Sequence, residues 1–188
     1  MKPVFVVITF VALGAAVAAA SFATVAKGAP QQSPAERGKY IVTTFGCNDC
    51  HTPWKMGSNG PEPDMTRMLS GHPQDLTMPA APKLPEGPWG LVASLTNTAW
   101  AGPWGTSFTA NLTPDDETGL GTWTEQQFID ALRTGRHQGR GREILPPMPV
   151  MWIGKKTDED LRAIYAYLRT IPAVKNRVPV PVPPDAAR

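Results

Sequence analysis

The first clear run of helical spacing lies between residues 33 and 45, where apolar positions recur among polar ones. Ser33 is a good N-cap, Pro34 suits the first helical position, and Glu36 adds a negative charge to the first turn. Gly46 follows the run and is typical of a helix C-terminus. The pattern therefore predicts a helix from about Pro34 to about Phe45.

Two further helices are predicted near the C-terminus. Thr124 and Gln127 have the spacing of a capping box, and Gly135 ends that run. Thr157 caps the last helix, which Pro172 stops. Each helix has an apolar stripe. The stripes comprise Phe128, Ala131 and Leu132 in the second helix and Leu161, Ile164, Tyr165 and Leu168 in the third.

Residues 52–108 have few helix signals and are rich in proline, glycine and methionine. The segment also holds four tryptophans, Trp54, Trp89, Trp100 and Trp104, which are costly to leave in water. We therefore expect an ordered lobe of loops rather than a disordered segment. The 21 prolines and 17 glycines of the chain predict long ordered loops around a few helices. The stretch from Val178 to Pro184 alternates valine and proline and predicts an extended tail.

The N-terminus has the layout of an export signal. Lys2 supplies a positive charge, and an apolar or small-residue run follows from Val4 to Ala20. Small residues then recur at A-x-A-like cleavage sites, which favours a cleaved signal peptide over residues 1–26. The competing interpretation is an uncleaved anchor, because Val4 to Ala26 is long enough to span a bilayer. Both interpretations place the rest of the chain outside the cytoplasm. In a Gram-negative bacterium, that location is the periplasm.

Cys47, Cys50 and His51 form a C-x-x-C-H motif, the pattern of covalent c-type haem attachment. The two thiols can each form a thioether with a haem vinyl group, and the adjacent imidazole can then coordinate the iron. A thioredoxin-like pair would need a βαβ context, and a disulfide over so short a loop stabilises little. A zinc site would need a second ligand pair at short spacing. The motif therefore predicts one haem c.

A second iron ligand would make an electron carrier, whereas an open position would bind small molecules. Met148 is the leading candidate, because Pro147 and Pro149 stiffen the loop around it and a thioether is a soft ligand that raises the potential. Met151 and His72 remain alternatives. His137 lies in a glycine-rich basic loop and is expected to face solvent.

The formal net charge is +2 and becomes +1 once Lys2 is removed with a signal. Two haem propionates would bring it to near −1. This balance argues against nucleic-acid binding, which needs a basic footprint. It also removes the usual clue to a strongly charged docking face.

Several stretches, in this order and spacing, resemble class I cytochromes c, and most of all the cytochrome domains and subunits of bacterial membrane-bound dehydrogenases. They are residues 37–42, 47–52, 111–115, 118–124, 146–149, 157–161 and 165–168. The resemblance implies an all-α cytochrome c fold of about three to five helices around one covalent haem. It makes His51 the proximal and Met148 the distal ligand. It also implies that the first and third helices cross beside the haem, with Asn111 and Trp123 near it.

The resulting layout is a signal or anchor over residues 1–26, a cytochrome domain over 27–176 and a Pro-rich tail over 177–188. The lobe over 52–108 is longer than a minimal cytochrome needs, so it is a candidate docking surface or shield. Related subunits often carry two or three haem domains, whereas this chain has one C-x-x-C-H motif.

The sequence thus predicts a mono-haem carrier of single electrons between a dehydrogenase and an oxidase or another cytochrome, not an enzyme. The alternative is an open-site haem protein acting as a peroxidase or gas sensor. A third hypothesis is a subunit that exists only in complex with a dehydrogenase.

Overall fold

The structure is a computed structural model that describes residues 32–184. The predicted signal peptide or anchor over 1–26 lies outside the described residues, as does the end of the tail. Between residues 32 and 184, no helix is both long and apolar enough to cross a bilayer.

The helices of the described residues include all three that the sequence predicts. Two short helices and two single 3-10 turns, Met65–Arg67 and His137–Gly139, add to them. In chain order the α-helices are α1 (Pro34–Thr44), α2 (Cys47–His51), α3 (Glu125–Thr134), α4 (Val150–Ile153) and α5 (Asp158–Leu168).

Local hydrogen bonds begin these helices where the sequence predicts. The Ser33 backbone N–H donates to the Glu36 carboxylate over 2.9 Å, and the Glu36 N–H donates to Ser33 Oγ over 3.3 Å. Thr124 and Gln127 form the same reciprocal pair at the start of α3, at 2.9 and 3.1 Å. Both capping boxes satisfy backbone donors that a helix N-terminus leaves unpaired.

The prediction of an all-α fold is wrong, because the helices are accompanied by two antiparallel sheets. All five strands lie in the 52–108 lobe. They are β1 (Trp54–Gly57), β2 (Gly60–Pro63), β3 (Val92–Ala93), β4 (Ala99–Gly102) and β5 (Gly105–Phe108). β1 pairs with β2, and β4 lies between β3 and β5.

The strands escaped prediction because none is longer than four residues, too short for an alternating pattern to stand out. Glycines flank the hairpin turns: Gly57 pairs with Gly60, and Gly102 pairs with Gly105. Gly60 and Gly105 have φ of +117° and +92°, which L-residues rarely adopt. The same glycines and prolines that predicted loops therefore form the corners of tight hairpins.

Helices α1 and α5 pack directly against each other, although they lie at opposite ends of the described chain. The contact is closest at Gly38, which faces the backbone of Ala163 and the Cβ of Tyr167. A charge-assisted hydrogen bond of 2.9 Å joins Arg37 to Asp160 beside it. The apolar sides of α1, α3 and α5 then meet in one core. Its fully buried members include Val42, Leu69, Leu161 and Leu168.

The chain beyond α5 is tied to the lobe by buried polar contacts. The Asn176 side-chain amide donates to the carbonyls of Ser70 and His72 over 2.7 and 2.9 Å. Its oxygen accepts from the Gln74 backbone N–H and from Arg67. Further on, Val182 pairs with Thr106 of β5. The extended tail predicted over 178–184 therefore lies against the sheet.

Candidate functional site

His51 is held at the end of α2 with one ring nitrogen engaged. Gly46, at φ +71°, turns the chain out of α1 and into the short helix. The imidazole is buried, and its Nδ1 lies 2.8 Å from the carbonyl oxygen of Ala110. Because a carbonyl only accepts, Nδ1 carries the hydrogen and Nε2 keeps its lone pair. Burial lowers the pKa of His51, so the neutral form that binds metals is favoured at pH 7.

The two cysteines of the motif precede His51 on the same helix. Cys47 and Cys50 are three residues apart, which places them on one face. Both are free thiols and partly buried. Burial raises the pKa of the Cys47 thiol to about 11 and also raises that of Cys50. Both are therefore protonated near neutral pH.

A cavity of about 550 Å³ opens beside α2, within the range typical of small-molecule and cofactor sites. Cys47, Cys50, His51 and Met148 all contribute to its lining. The structure therefore brings together the two predicted attachment cysteines, the predicted proximal histidine and the leading candidate for the second iron ligand. The rest of the wall is mainly apolar and comes from several elements. It includes Ile41, Leu112, Leu120, Phe128, Ile153 and Ile164.

Met148 reaches the cavity from the loop between α3 and α4. The loop is anchored from the lobe, because Ser107 Oγ of β5 donates to the carbonyl oxygen of Pro146 over 2.5 Å. Trp104 Nε1 donates to the same Ser107 oxygen over 3.3 Å. A hairpin of the lobe thus holds the backbone two residues before Met148.

The competing ligands occupy different surroundings. Met151 is 69% exposed and does not line the cavity. His72 is buried away from the cavity lining, with Nδ1 2.9 Å from Thr98 Oγ1 and Nε2 3.0 Å from the Leu76 carbonyl. His137 is exposed, as expected, and meets the Trp123 ring edge-on at the cavity.

Asn111 and Trp123 line the cavity, in keeping with the resemblance. The polar atoms of Asn111 are engaged within the protein. Its amide donates to the Val174 carbonyl over 2.8 Å, and its oxygen accepts from the N–H and hydroxyl of Thr113. Asn111 therefore ties the cavity wall to the segment that follows α5.

The residues present fit a haem. A neutral imidazole with a free nitrogen, a thioether and two thiols are the donors that c-type attachment and axial ligation use. The wall offers the apolar surroundings that a porphyrin needs. Two residues of the lining also carry a buried polar group with no hydrogen-bond partner among the described residues: Trp100 at Nε1 and Thr109 at Oγ1. A propionate carboxylate is an acceptor that such a donor requires.

Three features of the site escaped the sequence analysis: Trp100, Ser107 and the tail. Residues 177–181 line the cavity, so the Pro-rich tail forms part of its wall. No local sequence pattern predicts these roles, because each one depends on contacts with residues that are distant in the sequence. The four tryptophans of the 52–108 lobe were the one feature of the sequence that could have pointed to a role for the lobe in the site.

No family model matches the chain. Among curated proteins, it is 35% identical over 89 residues to the fructose dehydrogenase cytochrome subunit of Gluconobacter japonicus, covering 44% of this chain and 18% of that protein. It is 40% identical over 65 residues to the cytochrome c subunit of the quinone alcohol dehydrogenase of Gluconobacter oxydans, covering 35% and 13%. The gluconate 2-dehydrogenase cytochrome c subunit of Pantoea cypripedii is 26% identical over 147 residues, covering 78% and 25%.

These relatives are cytochrome c subunits of dehydrogenases, and they confirm the resemblance predicted from the motifs. The chain spans 13–25% of the length of these relatives. Cytochrome c subunits carry haem c, so their names agree with a haem c cofactor here.

Proposed function

We propose that this chain is a mono-haem c-type cytochrome that carries single electrons from a dehydrogenase to an oxidase or another cytochrome. The observation that carries the proposal is the arrangement of His51. Its Nε2 has no hydrogen-bond partner within residues 32–184, its Nδ1 is fixed by the Ala110 carbonyl, and two thiols lie beside it on an apolar cavity. The homology to dehydrogenase cytochrome subunits agrees with this chemistry.

Each residue then has a defined part. Cys47 and Cys50 would hold the haem through thioether links, and His51 and Met148 would bind its iron. The Ala110 carbonyl orients the imidazole and increases its basicity, as second-shell partners of metal ligands do. Ser107 holds the Met148 loop through Pro146. When bound, the haem supplies a one-electron couple, and the apolar wall with a sulfur ligand raises its potential.

The chain is organised around this site in the same proposal. Residues 1–26 direct export to the periplasm, as a cleaved signal or as an anchor. Residues 27–176 form the haem domain, with the 52–108 lobe as a shield and support. The Pro-rich tail begins at residue 177, and its residues 177–181 cover part of the cavity.

The test is to express the full chain with a functional c-type maturation system and isolate the periplasmic fraction. A haem-stained gel, the intact mass and the mature N-terminus report covalent haem, its number and signal cleavage. One haem per chain that survives acid–acetone extraction is expected. A colourless polypeptide, or pigment that acid–acetone removes, contradicts the proposal.

Variants test whether Met148 binds the iron. In oxidised wild type, a sulfur-to-iron charge-transfer band is expected; it is lost in Met148→Ala and kept in the matched control Met151→Ala. A high-spin spectrum and rapid carbon monoxide binding by the wild type would instead point to an open-site peroxidase or gas sensor. Copurification from membranes with a dehydrogenase would identify the donor.

A further inference from the structure

Positive charge is concentrated in one segment of this nearly neutral chain. Residues 131–156 contain six basic residues and one acidic residue, Glu143, whereas the whole sequence has a formal net charge of +2. The remainder is therefore net negative. The six are Arg133, Arg136, Arg140, Arg142, Lys155 and Lys156. The net charge of the whole chain does not reveal this uneven distribution of charge.

Two of these six cations form ion pairs among the described residues. Arg133 pairs with Asp158 at 2.6 Å, and Arg136 pairs with Glu143 at 3.1 Å. The other four make no ion pair with a described residue. Among them, the Lys156 ammonium lies 4.2 Å from the centre of the Phe45 ring. Their charge is thus available to an acidic surface outside the molecule.

An exposed apolar pair lies within the same segment. Met151 and Trp152 of α4 are 69% and 67% exposed. Together with Arg133 and Lys155 they line a shallow depression. Tryptophan and methionine are enriched in protein interfaces, where a tryptophan often dominates the binding energy.

This surface adjoins the cavity. Phe45, Arg142 and Lys156 are part of the cavity lining, and Pro149 connects Met148 directly to α4. Phe45 is 41% exposed, so it belongs to the outer surface as well. A protein that docks here lies beside the site proposed for the haem.

We propose that Phe45, Met151, Trp152, Lys155 and Lys156, with Arg142 at the cavity edge, form the docking surface for a redox partner protein. The partner surface it fits is acidic around an apolar centre. This inference rests on the proposed electron-transfer function. A protein partner is favoured over a lipid surface because a bilayer on this face would cover the cavity edge that electrons must cross.

The first test measures the charge at the electron-transfer surface. Ascorbate-reduced holoprotein is oxidised in a stopped-flow instrument by ferricyanide, an anion, and by tris(phenanthroline)cobalt(III), a cation. At low ionic strength, Lys155→Glu/Lys156→Glu is expected to slow oxidation by the anion about tenfold and to accelerate oxidation by the cation about tenfold. The reason is that local charge steers the encounter between the protein and each oxidant. The control Lys39→Glu/Lys83→Glu has the same net charge and is expected to change both rates much less. Equal effects in both double variants overturn the proposal.

The second test measures docking independently of haem chemistry. The probe is a peptide with a Leu-Phe pair between runs of glutamate, and its control replaces the pair with Ser-Ser. Wild type is expected to bind the Leu-Phe peptide more tightly, and Trp152→Ala is expected to lose about tenfold in affinity for it. Equal binding of the two peptides, or binding that instead follows phosphatidylglycerol vesicles, overturns the proposal.

The two proposals fail in different ways. If the proposed haem function is wrong, the purified chain has no reducible pigment, yet the peptide measurements still report on the surface. If only the docking surface is wrong, both oxidants react with the holoprotein but the paired double variants do not differ.

Discussion

The contact between α1 and α5 makes Gly38→Ala a sharp test of the fold. In an exposed helix, replacing glycine by alanine stabilises by about 1 kcal/mol. Here a Cβ at Gly38 would lie 2.8 Å from the Cβ of Tyr167 and closer still to the carbonyl oxygen of Ala163. Because the nearest atoms are backbone, no side-chain rotation can relieve the overlap, and the two helices must separate.

Overpacking of this kind costs about 1–3 kcal/mol. We therefore expect Gly38→Ala to lower the free energy of unfolding by about 2 kcal/mol and the Tm by about 4–8 °C for a domain of this size. Ile41 and Val42 of α1, and Ile164 and Leu168 of α5, line the cavity. Separation of α1 and α5 should therefore also change the absorption spectrum of the haem.

The assay is urea unfolding of the holoprotein followed by far-UV circular dichroism. Lys39→Ala, in the same helix at an exposed position, is the matched control and should stay within about 0.5 kcal/mol of wild type. A Gly38→Ala protein as stable as wild type, or more stable, would refute the close approach of the helices.

Three other predictions follow from buried polar contacts. Ser107→Ala removes the donor to the Pro146 carbonyl, so we expect a loss of about 1–3 kcal/mol in urea unfolding and faster displacement of Met148 by added imidazole. Asn176→Ala removes its bonds to the Ser70 and His72 carbonyls, and we expect a loss of about 2–3 kcal/mol by the same assay. Burial lowers the pKa of His72, so below pH 6.5 the unfolded chain binds more protons than the folded one. Stability should fall as the pH drops from 6.5 to 5, and the fall should be shallower in His72→Gln.

Exposed positions supply matched controls for the serine and asparagine variants. Ser58→Ala and Asn59→Ala, in the turn between β1 and β2, should each leave stability within about 0.5 kcal/mol of wild type. Unchanged imidazole displacement in Ser107→Ala would show that the hairpin does not hold the Met148 loop. If the free energy of unfolding falls with pH equally in wild type and His72→Gln, His72 does not cause the loss of stability in acid.

The helices and the C-x-x-C-H motif were predictable because their determinants are local. Ser33 bonds to Glu36, and Thr124 bonds to Gln127, each three residues away. Such contacts form within one turn and leave a readable pattern in the chain. The motif likewise places its thiols and imidazole on consecutive turns of one short helix.

The sheets and the cavity were beyond sequence reasoning because they depend on distant partners. Ala110 orients His51 from 59 residues away, and Ser107 reaches Pro146 across 39. The all-α prediction failed for the same reason. Strands of four residues or fewer become strands only when a partner supplies the hydrogen bonds.

The amino-acid order alone was enough to indicate the haem motif, the main helices and the kinship with dehydrogenase cytochromes. Which methionine lines the cavity, what the proline-rich lobe and tail support, and where the unpaired cations gather depended on the folded chain. Residue types and short spacings determine local chemistry, whereas a cavity or a charged face exists only after segments far apart in the chain have packed together.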